Sequence, residues 1–183
     1  MKYLKIIRAF LIGALLTLSM GAQAQKLISQ NWVVDLNGQK NEAYTANDSK
    51  SSFGVFCSGE KCLFYLHQAL KCDPGAKYSV LMNSQAVSTA LSMECTQIGG
   101  NLFQILDPFE AVLKATQTGE MIGFAVALQS GAFAVTRFSL VGAKPAIERA
   151  LLEAAKSKFR DQKPPLENPQ NTTPKSTLKD IAI

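Results

Sequence analysis

His67 is the only histidine among the 183 residues, and imidazole is the side chain that changes charge nearest neutral pH without help from its surroundings. Beside a hydroxyl or a thiol it could serve as a general base. It follows the run Phe64-Tyr65-Leu66, which reads as a strand, and a structural or surface role is the simpler reading there. Ser130 precedes Gly131 with no G-x-S-x-G elbow around it, so a turn serine accounts for it. Asp107 and Glu110 are close in sequence, whereas glycoside hydrolysis needs two carboxylates set apart across a cleft. Their spacing around Pro108 matches a helix start, with Asp107 as cap and Glu110 reaching back as in a capping box. One histidine excludes multi-histidine metal sites, and Gly99-Gly100 and Gly119 build no phosphate-binding loop. The expectation is a non-enzymatic protein with no catalytic residue, no metal and no cofactor.

Four cysteines carry more information. Cys57, Cys62, Cys72 and Cys95 are separated by four, nine and twenty-two residues. Zinc sites favour closely spaced pairs, often with histidines, and a redox centre favours C-x-x-C at a helix start. Neither pattern is present, and structural disulfides are the reading that remains. Four cysteines permit three connectivities. Local geometry favours Cys57 with Cys62, across the first rung of a hairpin, which leaves Cys72 with Cys95.

Disulfides require an oxidising compartment, and the chain's first residues supply an export signal. Lys2, Lys5 and Arg8 precede the apolar run from Phe10 to Met20, and Ala22-Gln23-Ala24 is a small-x-small cleavage site. Residues 1–24 are therefore expected to be a signal peptide and the product periplasmic or secreted. The apolar run is short for a membrane span, and no cysteine follows the cleavage site to accept a lipid, so no integral anchor is expected. Three of the five net positive charges sit in this leader, leaving +2 on the remainder. With no basic stripe interleaved with aromatics, nucleic acid is not an expected partner.

The elements that would hold these residues are mostly strands. Asn31 to Leu36, with Trp32 inside it, is closed by the turn Asn37-Gly38, and Glu42 to Ala46 could be its partner. Ser52 to Cys57 and Cys62 to His67 flank Ser58-Gly59-Glu60-Lys61 as a hairpin. Leu91 to Cys95 and Asn101 to Leu106 read as strands, and Phe109 to Thr116 as a short helix ended by Gly119. Met121 to Leu128 and Phe133 to Val141 form another hairpin, and Pro145 to about Phe159 a last helix with Ile147 and Leu151 on its buried side. Residues 25–160 are thus one β-rich domain with two short helices, and residues 161–183, with Pro164, Pro165, Pro169 and Pro174, an expected disordered tail.

The succession Leu113-Lys114-Ala115-Thr116-Gln117-Thr118-Gly119, a strand from Ile122 to Leu128, then Phe138-Ser139-Leu140-Val141-Gly142 leading into Ala146-Ile147-Glu148-Arg149-Ala150-Leu151 resembles the C-terminal half of the invasion-associated locus B family. The tryptophan in an early strand, the four cysteines and the leader also fit. Where that family favours Phe after the glycine, this chain has Ala143. The resemblance implies a periplasmic or surface-associated antiparallel β-sandwich of immunoglobulin-like type, with no catalytic residues to carry over, and a link to host contact.

The leading functional expectation is an envelope binding or assembly module whose partner is an envelope or surface protein, held by strand addition or by exposed aromatics. Candidate binding residues are Phe53, Tyr65, His67 and Tyr78, together with Trp32, which reads first as core and second as a stacking platform. The alternative is a small periplasmic enzyme using His67, or a protease-inhibitor-like protein presenting Ser58 to Lys61.

Overall fold

The computed structural model describes residues 25–161, without residues 39, 69–71, 99 and 129 and without the side chains of residues 157–161. The export-signal reading of residues 1–24 and the tail reading of residues beyond 161 lie outside the described residues. The described chain forms strands β1 (Gln25–Ser29), β2 (Trp32–Asn37), β3 (Lys40–Ala46), β4 (Ser52–Ser58), β5 (Lys61–His67), β6 (Lys77–Ser84), β7 (Ser88–Ile98), β8 (Asn101–Asp107), β9 (Met121–Ala127) and β10 (Phe133–Ser139). Two helices complete it, α1 (Phe109–Ala115) and α2 (Ala143–Asp161).

Period-2 alternation gives the sheet its two faces. Trp32, Val34 and Leu36 on β2 point the same way as Ala43 and Thr45 on β3, Phe53, Val55 and Cys57 on β4, and Phe64 and Leu66 on β5, and all are buried. The inward row continues through Leu106, Met93, Val80, Phe124 and Phe138. One antiparallel sheet carries it, in the order β1-β2-β3-β4-β5-β8-β7-β6-β9-β10. The expected sandwich of two separate sheets is corrected here: hydrogen bonds join all ten strands into a single sheet, which curls into a half-barrel around its own inner face.

The curl is held where the two edges meet. Trp32 Nε1 donates to the Ser139 carbonyl at 2.9 Å, Ser29 Oγ to the Gly142 carbonyl at 3.2 Å, and the Asn31 amide to the Val141 carbonyl at 3.3 Å. Gly142 adopts φ 91° there, and a Cβ on it would lie 2.1 Å from the Ser29 carbonyl oxygen. Only glycine accepts both the left-handed backbone and that approach. A second close approach falls at Gly54 in β4, where a Cβ would lie 2.4 Å from the Ala43 carbonyl oxygen, so this residue lets β3 bend tightly against β4.

Helix α2 packs on β2, β3 and β4, burying Ala143, Ala146, Ile147, Ala150 and Ala154 with Leu151 half-buried. Its row of alanines lets the helix approach closely. The capping box expected at α1 is also corrected. Asp107 is the last residue of β8, Pro108 takes the cap position with extended backbone, and no side chain caps the helix. The preceding Asp107–Pro108 peptide is cis. The helix ends at Ala115 with Thr116 as its C-cap, rather than at Gly119.

Both disulfides pair as the local geometry favours. Cys57 and Cys62 are directly opposed in the β4–β5 ladder with Cα atoms 4.1 Å apart, and Cys72 joins Cys95 at 6.0 Å. No cysteine among the described residues is left free.

Candidate functional site on the outer face

The outer face of an antiparallel sheet is ordinarily the polar one. On β4, β5 and β8 it is not. Phe56, Leu63, Tyr65, Phe103 and Ile105 occupy outward positions, and with Glu42 of β3 and Ile98 of β7 they line a cavity of about 180 Å³ open to solvent. Register explains the convergence: Glu42, Phe56 and Leu63 form one cross-strand rung, and Tyr65 stands opposite Ile105. Cross-strand neighbours of this kind come within side-chain contact. Because Gly54 faces Tyr65 across the ladder, no side chain there competes for the space beside the phenol ring.

One carboxylate sits in this apolar surface. Tyr65 Oη donates to Glu42 Oε1 at 2.5 Å. Burial raises the Glu42 pKa above the ordinary carboxylate value; the Tyr65 hydrogen bond and Lys26 lower it, and Asp35 adds to the rise. Burial also pushes the Tyr65 phenol upward, and the neighbouring Glu42 charge pushes it further, so the phenol stays a donor. A side-chain hydrogen bond with Ser52 opposes that rise.

The sign of the resulting pH dependence follows from linkage. A carboxyl whose folded pKa exceeds its unfolded value binds its proton more tightly in the folded state, so its ionisation costs stability as pH rises from the unfolded value through the folded one. Glu42→Gln keeps an acceptor for Tyr65 and removes that cost. The variant is expected to be more stable than the parent at pH 8, with the difference closing as pH falls below about 4, near the ordinary carboxylate pKa. Urea unfolding across that range measures it, and a difference that widens toward acid would contradict the assignment.

The residues singled out from the sequence separate into two groups. Trp32 and Phe53 are fully buried on the inner face, so their candidacy as surface binding residues is corrected: reaching them requires unfolding the sheet. Tyr65 is in the pocket wall. His67 lies two residues further along the same face, its ring centroid 5.0 Å from that of Phe103 and its Nδ1 2.9 Å from the Leu102 carbonyl. Ser52 is opposite His67 in the ladder, while the Ser52 hydroxyl engages Tyr65. Tyr78 is distant from the pocket, half-buried against the core, and accepts from the Asp73 amide at 3.2 Å. In the hairpin Ser58 to Lys61, Ser58 pairs with Lys61 and only Gly59 and Glu60 form the tip. No group of three or more potential metal ligands occurs among the described residues. None of the described helices is long and apolar enough to cross a membrane.

Glu42, Phe56, Leu63, Ile98, Phe103 and Ile105 were missed as site residues. For Phe56 and Leu63 a signal was present in runs that are apolar at consecutive positions, Val55-Phe56 and Leu63 to Leu66. Such runs mean that both faces of the strand are apolar.

No family model and no curated protein matches this chain. Among solved structures, the crystal structure of invasion associated protein B from Bartonella henselae is similar, with a TM-score of 0.53, 73% of this chain and 99% of that chain covered, and 13% sequence identity. At that identity the likeness is one of fold. The described chain has the fold of invasion associated protein B, across nearly the whole length of that protein.

Proposed function

We propose that this protein is a non-enzymatic binding or assembly module of the bacterial envelope, acting outside the cytoplasm, whose working surface is the outer-face pocket around Glu42 and Phe103. The observation that carries the reading is the pocket itself. A sheet already filled on its inner face has no structural need for six apolar and aromatic side chains and a carboxylate on the other, and exposed apolar recesses mark sites of association. Two disulfides support an oxidising compartment for such a module, in keeping with the export-signal reading of residues 1–24. The shared fold with an invasion associated protein supports extending the reading to contact with a host surface. His67 contributes packing against Phe103 on this reading.

The test is chemical cross-linking of the protein in its native envelope, comparing the parent with Phe103→Asp, a substitution that puts a second charge into the pocket without touching the inner core. A stoichiometric partner recovered with the parent is expected to fall at least tenfold with the variant, in line with truncation of a central interface residue. Equal recovery would refute the pocket as the working surface.

A further inference from the structure

We propose that the outer-face pocket receives a lysine side chain from the partner, the aliphatic stem between Phe56, Leu63, Phe103 and Ile105 and the ammonium on Glu42 Oε2. This rests on the reading of the pocket as the working surface and adds the chemistry of what enters it.

The two carboxylate oxygens of Glu42 are not equivalent. Oε1 accepts from Tyr65, and Oε2 has no hydrogen-bond partner among the described residues. The charges that bear on Glu42 most are those of its own cross-strand row; the next outward rung carries Lys40 and Lys61, and Glu94, paired with Lys77, stands opposite Ile105. Asp35 of β2 is directly opposite Glu42 in the ladder, and Lys26 of β1 is directly opposite Asp35, so the row Lys26, Asp35, Glu42 carries a net negative charge as it reaches the pocket. Lys26 forms no ion pair with either acid within 4.0 Å. The other lining residues, Phe56, Leu63, Tyr65, Ile98, Phe103 and Ile105, carry no charge.

Size and polarity then narrow the ligand. An apolar cavity of roughly 150 Å³ holds one benzene ring, so about 180 Å³ accommodates a single side chain and not a long acyl chain. An anion would meet two carboxylates. A neutral apolar group would bury Glu42 without a counter-charge, which is costly. A guanidinium is broad and planar, and its bidentate match uses both carboxylate oxygens, one of which already accepts from Tyr65. An ammonium is a compact point charge on a flexible four-carbon stem; it needs one oxygen, and the rings of Phe56 and Phe103 favour a nearby cation.

Two peptides test this, N-acetyl-Ala-Lys-Ala-amide and the same peptide with norleucine for lysine, which keeps the stem and lacks the ammonium. Titrated into the protein and followed by amide chemical shifts, the lysine peptide is expected to perturb Phe103 and Ile105 and to bind at least ~10-fold more tightly than the norleucine peptide, the size of one charge-assisted hydrogen bond. In Glu42→Gln, which keeps the fold, that ratio is expected to fall to about one. Equal affinity of the two peptides for the parent, with shifts centred on the pocket, overturns the lysine assignment and leaves the pocket as an apolar binding surface. Shifts absent from the pocket with both peptides at millimolar concentration overturn both.

Discussion

Phe53→Ala is expected to remove about 3–5 kcal/mol of stability, the usual range for truncating a buried phenylalanine. Phe53 is where the curled sheet closes on itself. Its ring centroid lies 5.8 Å from Trp32, 5.9 Å from Phe64, 5.2 Å from Phe124 and 5.7 Å from Phe138, so one residue of β4 contacts rings from β2, β5, β9 and β10. Of these, β2 lies towards one end of the sheet order and β9 and β10 at the other, so deleting the ring leaves a cavity where the two ends of the sheet meet. Domains of this size have roughly 5–15 kcal/mol in total, so the alanine variant would sit near its folding limit. Phe53→Leu, which preserves most of the volume, should cost less than about half as much. Urea unfolding of both variants checks the account, and a cost below ~1.5 kcal/mol for the alanine would place the centre of the core elsewhere.

Removing Cys72–Cys95 as a pair, by alanine at both positions, is expected to cost about 3.5 kcal/mol, against about 2 kcal/mol for removing Cys57–Cys62. The difference follows from sequence separation, 23 residues in one case and 5 in the other, because the longer loop gives the unfolded chain more freedom to lose. The shorter bridge also spans a ladder held by its own hydrogen bonds, β4 and β5 being paired from Ser52–His67 to Ser58–Lys61. Cys72, by contrast, precedes β6 and anchors the approach to that strand against β7. Unfolding free energies of the two double variants decide the order, and a larger cost for Cys57–Cys62 would contradict it.

Local features of this fold were legible in the sequence, and non-local ones were not. The β4–β5 hairpin and its Cys57–Cys62 bridge could be read because the turn at Gly59 and Glu60 fixes the register of everything near it, and Cys72–Cys95 followed as the pair that remained. The pairing of β5 with β8 could not, since Phe64 meets Leu106 across a long stretch of intervening chain that itself forms β6 and β7. The first strand was overlooked because β1 is an edge with only Leu27 packed against the core and Ile28 80% exposed. In β6 the inward residues Tyr78, Val80 and Met82 do alternate, but outward Leu81 blurs the pattern. Capping chemistry misled at Asp107, a residue that matched a helix start and is instead spent on the end of β8.

The site shows the same division. Tyr65 was legible as an aromatic at a strand position, and Glu42 was not, because its burial depends on where β3, β4, β5 and β8 lie side by side. Trp32 and Phe53 drew attention for their ring size, and the size suits them to the inner face. Glu42 is the residue that local rules fail to explain, since a glutamine would accept from Tyr65 at lower cost. Carboxylates kept in such positions mark functional sites, and stability given up at a site is a recurrent accompaniment of function.

On the proposed function, the partner meets the pocket and not the rest of the outer face. A photoreactive amino acid placed at Ile98, on the pocket rim, and separately at Leu81, an exposed apolar residue of β6 away from the pocket, tests it in the native envelope. The account predicts one cross-linked species from the Ile98 position that disappears on adding Phe103→Asp, and no such species from Leu81. Equal cross-linking from both positions, or a product from Ile98 that survives Phe103→Asp, would contradict it.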